Sequence, residues 1–138
     1  DGTVRDNLTG IVWLKDANCF GLQDWSTAMQ SARGIGDGDC GLSDGSQPGD
    51  WWLPNIRELA SLIQYGNLED QVDPDLPVLA LPGDHPFTNV QFGRYWSSTS
   101  LSNDNYWAWA HSVDMHDGDA PRWPKDQSIF VWPVRASQ

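Results

Sequence analysis

Glutamate and basic residues are scarce in this sequence of 138 residues. Lys and Arg together number 8 against 19 acidic residues, of which 17 are Asp and 2 are Glu, and the net charge is −11. A domain with this charge repels a phosphate backbone, which argues against nucleic acid as a partner. Because Asp favours turns and helix caps whereas Glu favours helix interiors, the bias also argues against a helical bundle.

Long apolar runs are missing as well, since none approaches the roughly 18 residues of a membrane-spanning helix. We therefore expect no membrane insertion. Aromatic residues are abundant, with 9 Trp, 4 Phe and 3 Tyr, and disordered chains lack such bulky apolar side chains. The length is typical of one domain, which we place at residues 1–138.

Only two cysteines are present, Cys19 and Cys40. With three scattered histidines they are too few for a structural zinc site. Two buried free thiols are one interpretation. We favour a disulfide, because both residues lie in Gly/Asp-rich segments beside a predicted helix, and closing a loop of about 20 residues contributes roughly 3 kcal/mol. A disulfide predicts an extracytoplasmic protein, whether secreted, periplasmic or on the cell surface. The start at Asp1, without Met or a signal peptide, indicates a mature or trimmed fragment.

The first half of the chain predicts a β-hairpin and two helices. Asp-Asn turn chemistry separates the two extended segments of the hairpin. Each helix follows a residue typical of an N-cap, and the second begins with a near capping box. The predicted elements are strands at 3–5 and 10–14, a helix over 25–33 capped by Asp24 with Trp25, Met29 and Ala32 as its core face, a glycine-rich loop at 34–50, a short strand at 51–53, and a helix from Asn55 to Gly66 with Ile56, Leu59, Leu62 and Ile63 as its apolar stripe.

The second half predicts strands separated by long connections. Large and small side chains alternate with period two over residues 106–116, which is typical of a strand. Further strands are expected at 95–100 and 129–134, and the proline-rich residues 67–94 are interpreted as an ordered surface connection. The whole pattern predicts an α+β fold in which two helices pack on a small twisted antiparallel sheet with long loops.

Signals for catalysis are weak. Ser97, Ser98 and Thr99 offer hydroxyls, but no G-x-S-x-G or comparable motif surrounds them, and hydroxyls in a strand usually form hydrogen bonds within the sheet. His111 and His116 are five residues apart on one predicted strand, so they project to opposite faces and do not share a metal ion. Paired carboxylates carry no specificity among so many Asp residues. We expect that the protein is not an enzyme.

Calcium is the one cofactor that the sequence suggests. Asp37, Asp39 and Asp44 place three carboxylates in a glycine-rich loop, which suits a cation that takes six to eight oxygen ligands. The register is not that of an EF-hand, and Asp-Gly loops are also ordinary turns. Asp117 and Asp119 form a second, weaker candidate.

A polar stretch at residues 114–127 is the strongest candidate for ligand binding. It places an aromatic residue among charged and hydrogen-bonding groups, a combination that gives binding sites both area and specificity. We expect Trp123 to stack on a ligand, Arg122 and Lys125 to pair with acidic groups, and the acids to accept hydrogen bonds. An ordinary solvated hairpin with its Trp folded back on the sheet is the alternative. The predicted ligand contacts are Tyr106, Asp114, His116, Asp119, Arg122, Trp123, Lys125 and Gln127.

Four segments, taken in order, resemble one bacterial family. They are GTVRDNLTGIVWLKDA, DWWLPNIRELASLI, YWSSTS and VWPVR, at residues 2–17, 50–63, 95–100 and 131–135. The sequence is similar to the C-terminal domain of the Legionella collagen-like adhesin, the Lcl C-terminal domain family, although Trp52 stands where the family usually has Arg. The resemblance implies a C-type-lectin-like fold, export, and a role as a surface module. Some relatives are trimeric adhesin tips that bind glycosaminoglycans, and others resemble diversified receptors that display ligand contacts on C-terminal strands and loops.

We therefore expect a non-catalytic binding module, of adhesin or receptor type, for a carbohydrate or protein ligand. Glycosaminoglycans fit poorly, because a domain at −11 repels polysulfated chains. An enzyme of the formylglycine-generating type on the same fold is an alternative, but it would need reactive thiols in the C-terminal half. A structural module that holds a homotrimer together through its aromatic surface is another alternative.

Overall fold

The computed structural model describes residues 1–7, 9–62, 86–91, 93–101, 109–115 and 119–136. The described residues form seven strands and two helices. In chain order these are β1 (Thr3–Arg5), β2 (Val12–Leu14), α1 (Trp25–Gly34), β3 (Trp51–Trp52), α2 (Ile56–Ala60), β4 (Arg94–Ser100), β5 (Trp109–Asp114), β6 (Arg122–Pro124) and β7 (Val134–Arg135). The α+β class and the two helices predicted from the sequence are confirmed. Among the described residues, no helix has the length and apolar character needed to cross a membrane.

The strands form two antiparallel sheets, where the sequence predicted one. The four-stranded sheet has the order β1-β2-β7-β3, and the three-stranded sheet has the order β4-β5-β6. The single-sheet prediction is wrong because β7 returns to the N-terminal hairpin. There Val134 pairs with Trp13 on one side and with Trp52 on the other, so the last strand joins the first sheet and leaves β4–β6 as a separate meander.

The predicted hairpin and both helix starts are confirmed. The Asp6 amide donates to the Ile11 carbonyl at 2.8 Å across the turn. Asp24 caps α1 by accepting a hydrogen bond from the Thr27 amide at 2.8 Å. Asn55 and Glu58 form a reciprocal capping box at α2, with both bonds 2.8 Å long. These short polar side chains satisfy amides that a helix start otherwise leaves without partners.

Both helices differ in detail from their predicted form. α1 buries Ala28 and Ala32 completely, while Trp25 and Met29 of the predicted core face are only half-buried. α2 ends at Ala60, before the predicted stop at Gly66, and Ile63 and Gly66 lie outside the described residues. The predicted turn at 102–105 and most of the predicted connection at 67–94 also lie outside them.

The last apolar segment does not form the predicted strand over 129–134. Ile129 and Phe130 make only isolated bridges, to Gln23 and Tyr95 respectively, and a strand resumes at β7. Pro133 has no amide to donate to a ladder, and its carbonyl accepts a hydrogen bond from Leu14 at 3.1 Å. Residues 122–124, expected in a polar loop, form β6 instead.

Four tryptophans build the core. Trp13, Trp51, Trp96 and Trp132 are completely buried, and the rings of Trp13 and Trp132 meet edge to face at 5.3 Å between centroids. The indole nitrogen of Trp132 donates to the Leu14 carbonyl at 2.7 Å, so burial of this ring leaves its polar atom paired. The indole nitrogen of Trp96 likewise donates to the Gln23 carbonyl at 2.8 Å.

The glycine-rich loop at 34–50 is anchored to this core at several points. The predicted disulfide between Cys19 and Cys40 is confirmed, with 5.7 Å between the Cα atoms. Trp51 donates from its indole nitrogen to the Ser46 hydroxyl at 3.0 Å. Gly2 approaches the Gly41 carbonyl so closely that a Cβ atom at this position would clash with it. The loop is therefore tied to the start of the chain, to β3 and to the segment that precedes α1.

Candidate functional site

The edge strand β6 presents three of the predicted ligand contacts. Arg122 and Trp123 lie on β6, opposite His111 and Ala110 of β5, and Lys125 follows directly. The side chain of Arg122 is exposed, while Trp123 and Lys125 are half-buried. These three residues, predicted as ligand contacts because aromatic and charged groups cluster at 114–127, thus lie on or directly after one edge strand of the three-stranded sheet.

Trp123 folds back on the sheet, as the alternative interpretation had it. Its ring packs against the buried cluster that includes Ala28 and Ala110. The guanidinium carbon of Arg94 lies 4.2 Å from the centre of the ring, and the same guanidinium is 3.6 Å from the Asp114 carboxylate. The ring therefore has an internal partner at the position where a ligand was expected to stack.

Arg94 is a residue that the sequence reasoning missed. It stands directly before the YWSSTS segment, and nothing in its sequence neighbourhood marks it. Its role follows from register, since Arg94 pairs with Asp114 across β4 and β5. Asp114 was predicted as a ligand contact, and in the structure it pairs with Arg94.

The two cations predicted to pair with acidic ligand groups lie over indole rings. The ammonium of Lys125 is 4.1 Å from the centre of the Trp25 ring and donates to the Ser100 hydroxyl at 2.6 Å. The guanidinium carbon of Arg122 is 6.0 Å from the centre of the Trp109 ring. Contacts at these distances have the geometry of cation–π pairs. The two cation–ring pairs, Lys125–Trp25 and Arg122–Trp109, together form a surface that is both charged and aromatic.

An open groove lies between this surface and the start of α1. Asp24, Trp25 and Ser26 line it from the helix, and Trp109, Pro124 and Lys125 line it from the sheet. The turn after β6 adds Asp126 at the rim. The volume of about 680 Å³ falls within the range of small-molecule sites.

The wall formed by Trp25 is fixed by hydrogen bonds. Its indole nitrogen donates to the Ser97 carbonyl of β4 at 2.9 Å, and its backbone amide donates to the Lys125 carbonyl at 3.1 Å. Helical periodicity placed Trp25 in the core, and the alternation over residues 106–116 placed Trp109 on a strand. Their juxtaposition comes from packing α1 beside β5 and β6, for which the sequence carries no local signal.

The groove contains charges of both signs. Hydrogen bonds from the side chain and amide of Thr27 hold the pKa of Asp24 below its usual value, so this carboxylate is ionised at neutral pH. The other charged groups in the groove lining are the Asp126 carboxylate and the Lys125 ammonium. An occupant therefore meets both hydrogen-bond acceptors and a donor beside two indole rings.

Gln127 and Asp119, two further predicted ligand contacts, do not line the groove. Gln127 is exposed and donates its amide to the Pro124 carbonyl at 3.1 Å. Asp119 accepts a hydrogen bond from the Asp114 amide through its carbonyl at 2.7 Å, which closes the β5–β6 hairpin. Tyr106 and His116 lie outside the described residues.

Two of the three hydroxyls considered for catalysis, those of Ser97 and Thr99, form hydrogen bonds within the fold, as expected. Ser97 donates to the His111 carbonyl at 2.7 Å, and Thr99 accepts from the Ile56 amide at 2.9 Å. Both cysteines of the chain are in the disulfide, so the thiols that the formylglycine-generating alternative requires are absent from this chain.

The three carboxylates proposed for calcium do not converge. The described residues, which include Asp37, Asp39 and Asp44, contain no group of three side chains placed to hold a metal ion. Asp39 accepts from the Gly36 amide at 3.2 Å, so it helps to order the loop. Calcium binding stays a prediction without support from this geometry, and Asp117 of the weaker candidate lies outside the described residues.

Asp44 instead forms a buried ion pair. Its carboxylate lies 3.0 Å from the Nε atom of Arg135 and accepts from the Ser46 amide at 3.1 Å and hydroxyl at 2.6 Å. Burial raises the pKa of Asp44, but the hydrogen bonds from Ser46 and Arg135 outweigh it and leave the pKa below its usual value. This residue joins the glycine-rich loop to β7.

Comparison with known proteins gives one family. The model of the Lcl C-terminal domain matches residues 2–135, which is nearly the whole chain. A search of the curated proteins found no match. The chain belongs to the Lcl C-terminal domain family.

Proposed function

We propose that this member of the Lcl C-terminal domain family is a non-catalytic ligand-binding module of an exported bacterial protein, of adhesin or receptor type. In this proposal the domain has a C-type-lectin-like fold and displays its ligand contacts on the C-terminal strands and loops. The observation that carries the proposal is the edge strand β6. It leads into Lys125, which lines a groove walled by two tryptophans, and it carries Arg122, whose guanidinium carbon is 6.0 Å from the centre of one of those rings.

The disulfide supports an extracytoplasmic location. Bonds of this kind persist in oxidising compartments and are rare in the reducing cytoplasm. The Cys19–Cys40 bridge also ties the glycine-rich loop to the segment that leads into α1. We propose that this disulfide keeps a loop-rich module rigid outside the cell.

A non-catalytic role is supported because several of the candidate nucleophiles already have bonding partners within the fold. Ser97 and Thr99 are hydrogen-bonded within the fold, and both cysteines are in the disulfide. A groove with aromatic walls and mixed charges is suited to recognition, since aromatic area supplies affinity and the polar groups orient the ligand.

The ligand is proposed to be a carbohydrate or a surface protein. Nucleic acid is disfavoured because a net charge of −11 opposes the approach of phosphates. The same charge disfavours sulfated polysaccharides.

Binding to an array of glycans and to immobilised surface proteins tests the proposal. Arg122→Ala is compared with Arg5→Ala, which removes the same charge from an exposed position on β1 in the other sheet. We expect Arg122→Ala to weaken binding about tenfold, equivalent to roughly 1.4 kcal/mol, while Arg5→Ala leaves it unchanged. Equal effects of the two substitutions, or none from either, would show that the C-terminal strands are not the display surface.

A further inference from the structure

We infer that the groove between α1 and the β5–β6 edge is the ligand subsite, and that a neutral saccharide occupies it. This inference rests on the proposed binding function and narrows it in two respects. It moves the stacking contact from Trp123 to Trp25 and Trp109, and it selects one class of ligand.

The stacking contact is moved because the two sets of rings differ in their surroundings. Trp123 is packed on the buried cluster and has Arg94 at 4.2 Å. Trp25 and Trp109 are also half-buried and each has a cation near its ring, Lys125 at 4.1 Å and Arg122 at 6.0 Å. Unlike Trp123, however, both line an open volume of about 680 Å³. A ligand can therefore reach indole surface in the groove without displacing Arg94 from its position between Trp123 and Asp114.

The groove is organised before a ligand arrives. The Trp25 ring is held by its bond to the Ser97 carbonyl and by the Lys125 ammonium. Trp109 lies on β5 opposite Pro124 of β6. Side chains that are already fixed lose little conformational freedom on binding, which favours affinity from a small contact area.

Charge disfavours ionic ligands of both signs. An anion approaches a domain at −11 and meets the carboxylates of Asp24 and Asp126 at the rim. A cation is attracted by the same carboxylates, but the Lys125 ammonium and the Arg122 guanidinium already lie 4.1 Å and 6.0 Å from the centres of the Trp25 and Trp109 rings and repel a second cation stacked there. Asp24, Asp126, Lys125 and Arg122 together carry two charges of each sign, so the site has no net charge that would select an ion. This balance matches a neutral ligand.

A saccharide is the neutral ligand whose chemistry the lining matches. The C–H face of a pyranose ring is apolar and packs on an indole, while its hydroxyls both donate and accept hydrogen bonds. The carboxylates of Asp24 and Asp126 accept from such hydroxyls, and the Lys125 ammonium and the Ser26 hydroxyl donate to them. An apolar peptide would leave these charged groups desolvated and without partners, at a cost in free energy.

The test uses an array that contains neutral, sialylated and sulfated glycans, followed by fluorescence titration of the neutral glycan with the strongest signal. Trp109→Ala removes one wall and is compared with Trp52→Ala, a half-buried tryptophan in the other sheet. Ser26→Arg fills the groove from an exposed position and removes no packing, and Gln30→Arg makes the same change one helical turn further along α1, outside the groove lining. The midpoint of thermal unfolding is recorded for each variant, so that the Ser26→Arg pair decides if Trp109→Ala does not fold.

We expect neutral glycans to bind and both groove variants to lose at least about tenfold in affinity, with the two controls unchanged. Three results would overturn the inference while leaving the proposed function intact. They are binding to charged glycans only, binding to surface proteins only, and a glycan affinity that Arg122→Ala lowers but Ser26→Arg does not. If neither glycans nor surface proteins bind, the proposed function falls together with the inference.

Discussion

Two clusters in this molecule share the same composition and differ in burial. Each consists of an Arg that pairs with an Asp and lies over a Trp ring. In the first, Arg135 is 3.0 Å from Asp44 and 5.5 Å from the centre of the Trp51 ring, and the Arg and Asp side chains are 12% and 2% exposed. In the second, Arg94 is 3.6 Å from Asp114 and 4.2 Å from the centre of the Trp123 ring, with exposures of 28% and 16%.

The difference shows how one combination of residues serves two purposes. The Arg135 cluster joins the glycine-rich loop to β7 inside the four-stranded sheet, where few water molecules could replace a lost partner. The Arg94 cluster lies in the three-stranded sheet that also carries the proposed ligand surface, where solvent screens the charges. We expect the first cluster to govern stability and the second to govern the shape of the binding surface.

The largest expected effect comes from breaking the buried cluster. Arg135→Ala leaves the Asp44 carboxylate buried without its cation, and such changes typically cost about 3–5 kcal/mol. Urea denaturation of this variant and of Arg94→Ala measures the contrast, since we expect at most about 1 kcal/mol for the partly exposed pair. Equal losses in the two variants would show that burial does not separate the clusters. The double variant with Asp44→Ala should regain part of the loss, because it removes the unpaired charge.

The disulfide gives the next largest effect. Replacing Cys19 and Cys40 by Ala should lower the free energy of unfolding by about 3 kcal/mol on the chain-entropy model, for a loop of 21 residues. Thermal unfolding of the variant, beside oxidised and reduced wild type, provides the measurement. A reduced protein as stable as the oxidised one would mean that the other contacts of the loop, among them Asp44–Arg135 and Trp51–Ser46, anchor it without the bridge.

The pH dependence of stability tests the Asp44–Arg135 pair in another way. The pKa of Asp44 in the folded protein lies below the ordinary aspartate value of 3.8, so the stability that this carboxylate contributes is fully present above pH 3.8. It is lost as the pH falls through the lowered folded pKa, because the unfolded chain then binds the proton more readily. Urea midpoints measured from pH 5 down to pH 2 should fall less steeply for Asp44→Asn than for wild type. Parallel curves for wild type and Asp44→Asn would contradict the assignment.

The smallest effect on stability should accompany a measurable effect on binding. Arg94→Ala uncovers one side of the Trp123 ring and releases Asp114, and we expect a loss of stability of at most about 1 kcal/mol. Affinity for a neutral glycan should change less than in Trp109→Ala, because Arg94 does not line the groove. A larger loss of affinity in Arg94→Ala would indicate that the ligand contacts Trp123 directly.

Local signals predicted the elements and the disulfide well. The Asp24 cap and the Asn55–Glu58 box depend on residues three positions apart, and the hairpin depends on turn residues and alternation, so each could be predicted from a short window. The prediction of a strand over 129–134 was wrong. A local feature could have prevented this error, because Pro133 has no amide to donate to a ladder. The second sheet could not be predicted in this way, because no local feature indicates that β7 pairs with the N-terminal hairpin.

The candidate site was predicted in part. Arg122, Trp123 and Lys125 were identified because aromatic and basic residues cluster in the sequence between 114 and 127. Trp25, Trp109 and Arg94 were missed as site residues, since each has a different neighbourhood in sequence and meets the others only through packing and register. Asp44 was assigned to calcium because a carboxylate in a glycine-rich loop looks the same in sequence whether its partner is a metal ion or an arginine 91 positions away.

The sequence by itself determined the local conformations, the acidic surface and the family, since capping residues, turn residues and composition act over short distances or over the whole chain. The tertiary structure decided the partner of each charge and the lining of each cavity. An Arg beside an Asp and a Trp stabilises the core where β7 closes the first sheet, and shapes a half-exposed surface where β4 pairs with β5. Burial separates these outcomes, because solvent screens an ion pair at the surface and cannot replace a partner inside.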